Sequence, residues 1–261
     1  MNTTNHLRVA LIQSDLIWEN PTANRKQFEE KINILDEDID LIILPEMFTT
    51  GFTMNASDVA ETMKGETVQW LQNLAQEKSI AITGSIVICE NYNFYNRLLF
   101  VHSSGKIDFY DKKHTFTLAG EHEVFSAGTE RIVIEYKGWK ICPLICYDLR
   151  FPVWARNTEN YDLLLYVASW PKPRIEAWDG LLKARAIENM SYTIGVNRVG
   201  IDANNYEYTG NTVCYDTLGN CLVKNNKGTE ETLIIELDKE TQIKARNRFR
   251  FLDDRDEFIL Q

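Results

Sequence analysis

The residues with chemistry to offer stand at the ends of three strand-like runs. Ile141-Cys142-Pro143-Leu144-Ile145 leads into Cys146, and Tyr147-Asp148-Leu149-Arg150-Phe151-Pro152 follows at once. A buried strand that stops at a thiol and turns into a helix presents a nucleophile, and the partial positive charge of a helix N-terminus favours its thiolate. Leu44-Pro45-Glu46-Met47-Phe48 brings a carboxylate to a proline-marked strand edge. Tyr110-Asp111-Lys112-Lys113-His114-Thr115-Phe116 brings two ammonium groups and an imidazole. In open α/β sheets the ligand crevice lies outside the carboxyl ends of the strands, where such residues can meet. The chemistry on offer is that of a nucleophilic thiol, which near its usual pKa of ~8.5 is only a few per cent ionised at neutral pH and needs a partner. Taken one at a time, the same residues read as a small core thiol, a solvated loop acid and an exposed basic run. Neighbouring residues on an extended segment face opposite ways, so only one of Lys112 and Lys113 can enter a site.

Alternating strand-like and helix-like segments must position these residues. Strands are expected over 7–12, 40–44, 80–88, 97–102, 132–136, 139–145, 163–167, 192–196, 212–216, 221–224 and 233–237. Helices are expected over 24–35, 67–78 and 176–189, with Val68, Leu71, Leu74 and Ala75 on one face of the second. Asn91-Tyr92-Asn93, Ser103-Ser104-Gly105-Lys106, Lys137-Gly138 and Leu218-Gly219-Asn220 read as turns. Continuously apolar strands separated by helices argue an α/β protein with covered sheets, here two sheets face to face in one domain.

Composition narrows the partners. The net charge of −10 over 261 residues argues against a nucleic-acid backbone or an anionic membrane. Five cysteines without framework spacing point to reduced thiols and a cytoplasmic protein. Cys142 and Cys146 would lie about 13 Å apart along a strand, too far for a bridge or a shared metal. The N-terminus has no secretory signal pattern, and no apolar run approaches the ~20 residues of a membrane helix.

Together the three segments resemble the nitrilase, or carbon–nitrogen hydrolase, superfamily: Glu46, Lys112 and Cys146 stand in its order and between its flanking residues. The likeness runs from Val9-Ala10-Leu11-Ile12-Gln13 to Tyr208-Thr209-Gly210-Asn211 and Leu218-Gly219-Asn220. Ala168-Ser169-Trp170-Pro171, Arg174, Trp178 and Ala184-Arg185-Ala186-Ile187-Glu188-Asn189 resemble one branch, the ω-amidases, which hydrolyse the terminal amide of short 2-oxo acids such as 2-oxoglutaramate. The resemblance implies a four-layer αββα sandwich formed by one domain over residues 1–261. It further implies a homodimer joined through the helices after Cys146 and around 176–189, with the tail from about 238 to 261 reaching onto the partner. It implies no cofactor and no metal.

The resemblance also distributes roles. Cys146 becomes the acylated residue and Glu46 the base that takes its proton, passes it to the leaving ammonia and later activates water. Lys112, which the Tyr-x-Lys-x-His pattern selects over Lys113, faces the developing oxyanion beside the backbone N–H of Tyr147. Glu121, in Ala119-Gly120-Glu121-His122-Glu123, becomes a second glutamate holding the lysine, and His114 a positioning residue. For a substrate carboxylate, Arg174 near Trp170 is the first candidate. Arg150 is the runner-up for that carboxylate, although four positions past the thiol it is expected rather to tie down its helix. Phe48, Phe52, Tyr92, Trp170 and Trp178 are candidate pocket walls, and Ser169 stands where the resemblance implies asparagine. Other readings are an N-carbamoyl amide hydrolase, a nitrilase (usually a longer chain), a non-catalytic binding protein on the same fold, and a thiol-redox protein, for which no resolving cysteine lies within reach.

Overall fold

Period-two alternation sorts the apolar runs between two cores. In the computed structural model, which describes residues 4–35, 38–225 and 228–259, β1 (His6–Gln13), β2 (Leu41–Ile43), β3 (Ala81–Glu90), β4 (Asn93–Val101) and β5 (Ile107–Asp111) enter one sheet. β6 (Ile134–Tyr136), β7 (Trp139–Ile145), β8 (Leu163–Ala168) and β9 (Tyr192–Asn197) enter a second. A two-stranded ribbon of β10 (Val199–Ile201) and β11 (Glu207–Thr209) follows. Then β12 (Val213–Tyr215) and β13 (Cys221–Lys224) complete the second sheet, and β14 (Glu231–Asp238) returns to the first. The strand orders are β14-β1-β2-β3-β4-β5 and β13-β12-β9-β8-β7-β6. The neighbours β1, β2 and β3 are parallel, as are β7, β8 and β9; the outer strands pair antiparallel.

Leu7, Val9 and Leu11 of β1 share a core with Ile141, Leu163, Leu165 and Ile194 of the opposite sheet. The intervening Ala10 and Ile12 pack with Phe28 and Ile32 of α1 (Pro21–Asn33) instead. The short α2 (Ala56–Val59) precedes α3 (Glu66–Lys78), whose Val68, Leu71 and Leu74 join that second core. After α4 (Glu121–Val124) and α5 (Pro152–Ala155), helix α6 (Ile175–Asn189) covers the second sheet. At Gly195 of β9 a Cβ would come within 2.5 Å of Leu182 and 2.6 Å of Trp178, so only glycine admits the helix this close. The layers are therefore α, β, β, α. With both faces covered, the central strands are apolar throughout rather than alternating with solvent.

The boundaries differ where local chemistry decides them. Asn20 caps α1 through its side chain and Pro21 begins it, three residues ahead of the expected start. β4 begins at Asn93 rather than 97, because Asn91 (φ +49°) and Tyr92 (φ +63°) form a two-residue turn with both residues left-handed, which extends the hairpin to Glu90↔Asn93. Tyr92 is fully exposed on that turn and walls no pocket. The helix expected after Cys146 is a 3-10 turn, Cys146–Arg150, followed by α5. In the tail, α7 (Lys239–Phe249) docks on its own chain, Gln242 Nε2 donating to the Asp162 carbonyl and Arg246 to the carbonyls of Met190 and Tyr161. Residues 260 and 261 of the tail lie outside the described residues. No helix among the described residues is long and apolar enough to cross a membrane.

Candidate active site

Parallel strands deliver two of the reactive residues at their carboxyl ends. After β2 the chain turns at Met47 (φ +43°), held by the Ser85 hydroxyl, which accepts the Met47 N–H at 2.9 Å, and by Phe48 N–H donating to the Ser85 carbonyl at 3.1 Å. This turn sends Glu46 inward, where it is completely buried. It sends Phe48 the other way, edge-on to Phe28 at 5.5 Å in the helix-covered core, so Phe48 is no pocket wall.

After β7, Cys146 itself adopts φ +42°, a left-handed conformation that a non-glycine residue holds only when its surroundings over-determine it. Asp148 supplies that constraint. Its buried carboxylate accepts the N–H of Ile145 (3.0 Å), the N–H of His114 (3.0 Å) and the Tyr110 hydroxyl (2.8 Å), and meets His114 Nδ1 at 2.8 Å. The thiol turn is thereby fastened to the lysine segment. His114 stacks on Phe151 at 3.6 Å and is committed to this support.

Lys112 is 1% exposed. Its Nζ donates to Glu46 Oε1 at 2.9 Å and to both carboxylate oxygens of Glu121, at 3.0 and 2.8 Å. Lys113 lies outside this cluster, over the Trp154 ring at 5.4 Å. Glu121 opens α4 and is fully buried, with Oε2 also accepting the Phe116 N–H at 2.5 Å, whereas Glu123 is exposed. Burial raises the Glu121 pKa against the pull of Lys112, and the neighbouring Glu46 adds to the rise. The paired glutamates hold Lys112 above the usual lysine range despite its burial, so it stays cationic.

The Cys146 thiol is pushed well up, first by burial and then by the Glu46 carboxylate, against Lys112 and the Ser169 N–H, which favour its ionised form. The pull of a helix N-terminus toward the thiolate is thus opposed by burial and by the Glu46 carboxylate. A single five-residue 3-10 turn carries little dipole, and the desolvated thiol beside a carboxylate rests protonated.

Two further groups complete the cluster, of which Asn96 carried no sequence signal of its own. Asn96, 1% exposed on β4, donates Nδ2 to Glu46 Oε1 at 2.9 Å and to Glu121 Oε1 at 3.3 Å. Ser169, after β8, donates its backbone N–H to Glu46 Oε2 at 2.8 Å. That contact is made by the main chain, so the departure from asparagine there leaves it intact.

These groups border a cavity of about 450 Å³, within the range of small-molecule sites. Cys146, Lys112, Tyr147, Phe52, Trp170 and Arg174 all line it. So does Arg150, the runner-up for the carboxylate, and the preferred reading of it as a helix tether is corrected: Arg185 takes that place by donating Nη2 to the Leu149 carbonyl at 2.6 Å. Arg150 lies over Trp170 at 5.0 Å and Arg174 over Phe116 at 5.1 Å, and neither has a carboxylate partner among the described residues. Trp178 is buried behind Trp170, with Nε1 donating to the Asn211 carbonyl, and does not reach the cavity. The β10–β11 ribbon adds Asp202, Asn204, Tyr206 and Tyr208 to the wall. Asp202 shapes the ribbon by accepting the N–H groups of Asn204 and Tyr206 and the Tyr208 hydroxyl.

A thiol close to a buried carboxylate, a buried ammonium and two guanidiniums without a carboxylate partner among the described residues suit acyl transfer from an anionic substrate. Comparison with known proteins agrees. The family model for carbon–nitrogen hydrolases matches residues 8–247. The ω-amidase YafV of Yersinia enterocolitica is 44% identical over 97% of this chain and 98% of its own. The 2-oxoglutaramate amidase of Bacillus subtilis is 33% identical over 94% of this chain and 96% of its own. Among solved structures, XC1258 of Xanthomonas campestris, a CN-hydrolase superfamily protein with an arsenic adduct in its active site, superposes with a TM-score of 0.96 at 40% identity, covering 98% of this chain and 99% of that one.

Proposed function

The chain belongs to the carbon–nitrogen hydrolase family, in its ω-amidase branch, and from that premise we propose that it releases ammonia from the terminal amide of short 2-oxo acid amides, 2-oxoglutaramate and 2-oxosuccinamate, through a thioester on Cys146. The observation that carries the mechanism is the buried Glu46–Lys112–Glu121 cluster beside the thiol, in a cavity that also presents two unpaired arginines. Cys146 Sγ attacks the amide carbon while its proton passes to Glu46. The oxyanion forms against Lys112 Nζ and the Tyr147 N–H, a first-turn donor with no helical partner. The C–N bond breaks as the nitrogen takes the Glu46 proton, and ammonia leaves. Water then attacks the thioester, giving a proton to Glu46; the C–S bond breaks, the sulfur recovers that proton, and the acid departs. Glu121 keeps Lys112 charged and aimed.

The test is ammonia release from 2-oxoglutaramate, glutamine, an N-carbamoyl amino acid and an aromatic nitrile, with mass-spectrometric trapping of the acyl group on Cys146. Absence of release from 2-oxoglutaramate would overturn the substrate assignment, and acylation elsewhere would overturn the nucleophile. Because the thiol rests protonated and Glu46 takes its proton only during attack, kcat/KM is expected to stay level from about pH 7 to 9, where a free thiol ionises. A rise through that interval would show ionisation of Cys146 before attack.

Arg174 and Arg150 are assigned to the substrate carboxylate. Arg174→Ala is expected to raise KM for 2-oxoglutaramate by about tenfold or more, the loss of one charge-assisted pair. It should leave KM for a neutral short amide within about threefold. Equal effects on both substrates would remove Arg174 from the carboxylate site.

We further propose a homodimer. Val153 of α5 and Ile187 of α6 are half exposed, and Leu218 is 44% exposed, so the helices around the thiol present an apolar face. The part of the tail left for a partner is 250–259, with Phe251 and Ile259 exposed. Sedimentation at monomer mass would overturn this. Five free cysteines and a 2-oxo acid substrate suit a cytoplasmic enzyme.

A further inference from the structure

Asn96 occupies a position where an apolar residue is expected. It shares a strand face with Leu98 and Phe100, both in the core between the sheets, and its own exposure is 1%. Its amide is half satisfied. Nδ2 serves Glu46 Oε1 and Glu121 Oε1, while Oδ1 has no hydrogen-bond partner among the described residues. A buried acceptor left unpaired costs about 1–3 kcal/mol. Rotating the amide would set Oδ1 against two carboxylates, which is worse. An asparagine kept for the fold would satisfy both ends; this one satisfies only the end that faces the carboxylates.

Counting acceptor sites shows what that end accomplishes. Glu46 Oε1 takes donors from Lys112 at 2.9 Å and Asn96 at 2.9 Å, which fills its two lone pairs. Among the described residues the one hydrogen bond to Glu46 Oε2 comes from the Ser169 N–H, at 2.8 Å, which leaves one lone pair open. The cluster holds two carboxylates and one ammonium. A neutral donor can therefore hold the second carboxylate off the first without neutralising the base, as a second lysine would. Asn96 also accepts the Lys112 backbone N–H at 3.0 Å through its carbonyl, so one residue sets the height of both the lysine and its glutamates.

We infer that Asn96 is the positioning residue that sorts the two carboxylates: by pinning Glu46 Oε1 beside Lys112 it reserves Glu46 Oε2 for proton exchange with Cys146 and then with water. The inference rests on the reading of Glu46 as the base. The charged and titratable groups gathered around the amide are Glu46 after β2, Lys112 after β5 and Glu121 on α4, with Cys146 after β7 beyond Glu46.

The test uses the full chain with Asn96→Leu, of the same branched skeleton but apolar and somewhat larger, and Asn96→Asp, of the same shape with a third negative charge. kcat and KM for 2-oxoglutaramate and the rate of Cys146 alkylation by iodoacetamide are each followed against pH, and thermal unfolding is recorded. The expected result is a kcat lower by about 30–100-fold in Asn96→Leu and by more in Asn96→Asp, with KM within about threefold. The acid limb of both profiles is expected to move up by about one pH unit, because a carboxylate that loses a donor or gains a negative neighbour holds its proton longer. The inference is overturned by a kcat within threefold of the unsubstituted protein, by a loss carried in KM, or by an acid limb that does not move. Unfolding of both variants overturns it too, since the assigned role is orientation and not support of the fold. If the unsubstituted protein releases no ammonia from 2-oxoglutaramate, the substrate reading fails. The alkylation profile, which needs no substrate, then decides on Asn96 by itself.

Discussion

Replacing Cys146 by alanine is expected to lower ammonia release from 2-oxoglutaramate by about 10⁴-fold or more while leaving the protein folded. The size of the effect follows from the chemistry: among the described residues Cys146 is the one thiol lining the cavity, and without it no acyl bond to sulfur can form. The tolerance follows from the local structure. The left-handed backbone at residue 146 is imposed by the Asp148 carboxylate, which fastens Ile145, His114 and Tyr110 together. None of those bonds involves the thiol, so alanine inherits the same turn at nearly the same strain. Removing the sulfur also leaves Glu46 with its donors from Lys112, Asn96 and Ser169. A thermal midpoint within a few degrees of the unsubstituted protein, together with activity at background, is the expected pair of measurements. Residual turnover above a few per cent would mean that another residue carries the acyl group.

Lys112→Ala is expected to lose about 10³-fold in kcat/KM and to destabilise the protein by about 3–5 kcal/mol. Two effects coincide because the ammonium has two tasks. It faces the oxyanion, and it is the cation between Glu46 and Glu121, both wholly buried. Without it two carboxylates face each other in the interior and one must take up a proton. Glu121 is the better placed, since burial and Glu46 already raise its pKa. A carboxyl group whose folded pKa lies above its unfolded value of about 4.3 contributes stability that is present at low pH and lost as pH rises through the folded pKa. The deficit of Lys112→Ala relative to the unsubstituted protein should accordingly be smallest near pH 5 and grow toward pH 8. Lys113→Ala serves as the control: its ammonium lies over Trp154 outside the cluster. It is expected to change stability by less than about 0.5 kcal/mol and activity by less than about threefold. Similar losses in the two variants, measured by denaturant unfolding and ammonia release, would reverse the assignment of the two lysines.

The two candidate arginines show how far local reading reaches. Both stand near aromatic residues in the chain, and spacing alone makes Arg150 a helix tether. In the folded protein Arg185, thirty-six residues away in sequence, takes the Leu149 carbonyl, and Arg150 is free to face the cavity. The aromatic residues divide for the same kind of reason. Phe52 and Trp170 line the cavity, whereas a single left-handed residue, Met47, turns Phe48 to the opposite side of the sheet. Trp178 sits one layer too deep, and Tyr92 sits on a hairpin turn at the surface.

What the sequence determined by itself is the set of strand ends and the residue types they carry. Apolar runs of strand length that end in Glu46 and Cys146 and a patterned segment at Lys112 are local features, and so are the helices whose periodic faces cover the sheets. A thiol, a carboxylate and an ammonium in that order also carry the family likeness. The tertiary structure alone decided the protonation of that thiol and the company around it. Burial and distance are properties of packed layers: the neutral Cys146, the cationic Lys112, the buried Glu121 and the amide of Asn96 arise only when β2, β4, β5 and β7 converge. An asparagine on an apolar strand face has no signature in the chain. It acquires one when two carboxylates from distant segments are brought within 3.3 Å of its nitrogen.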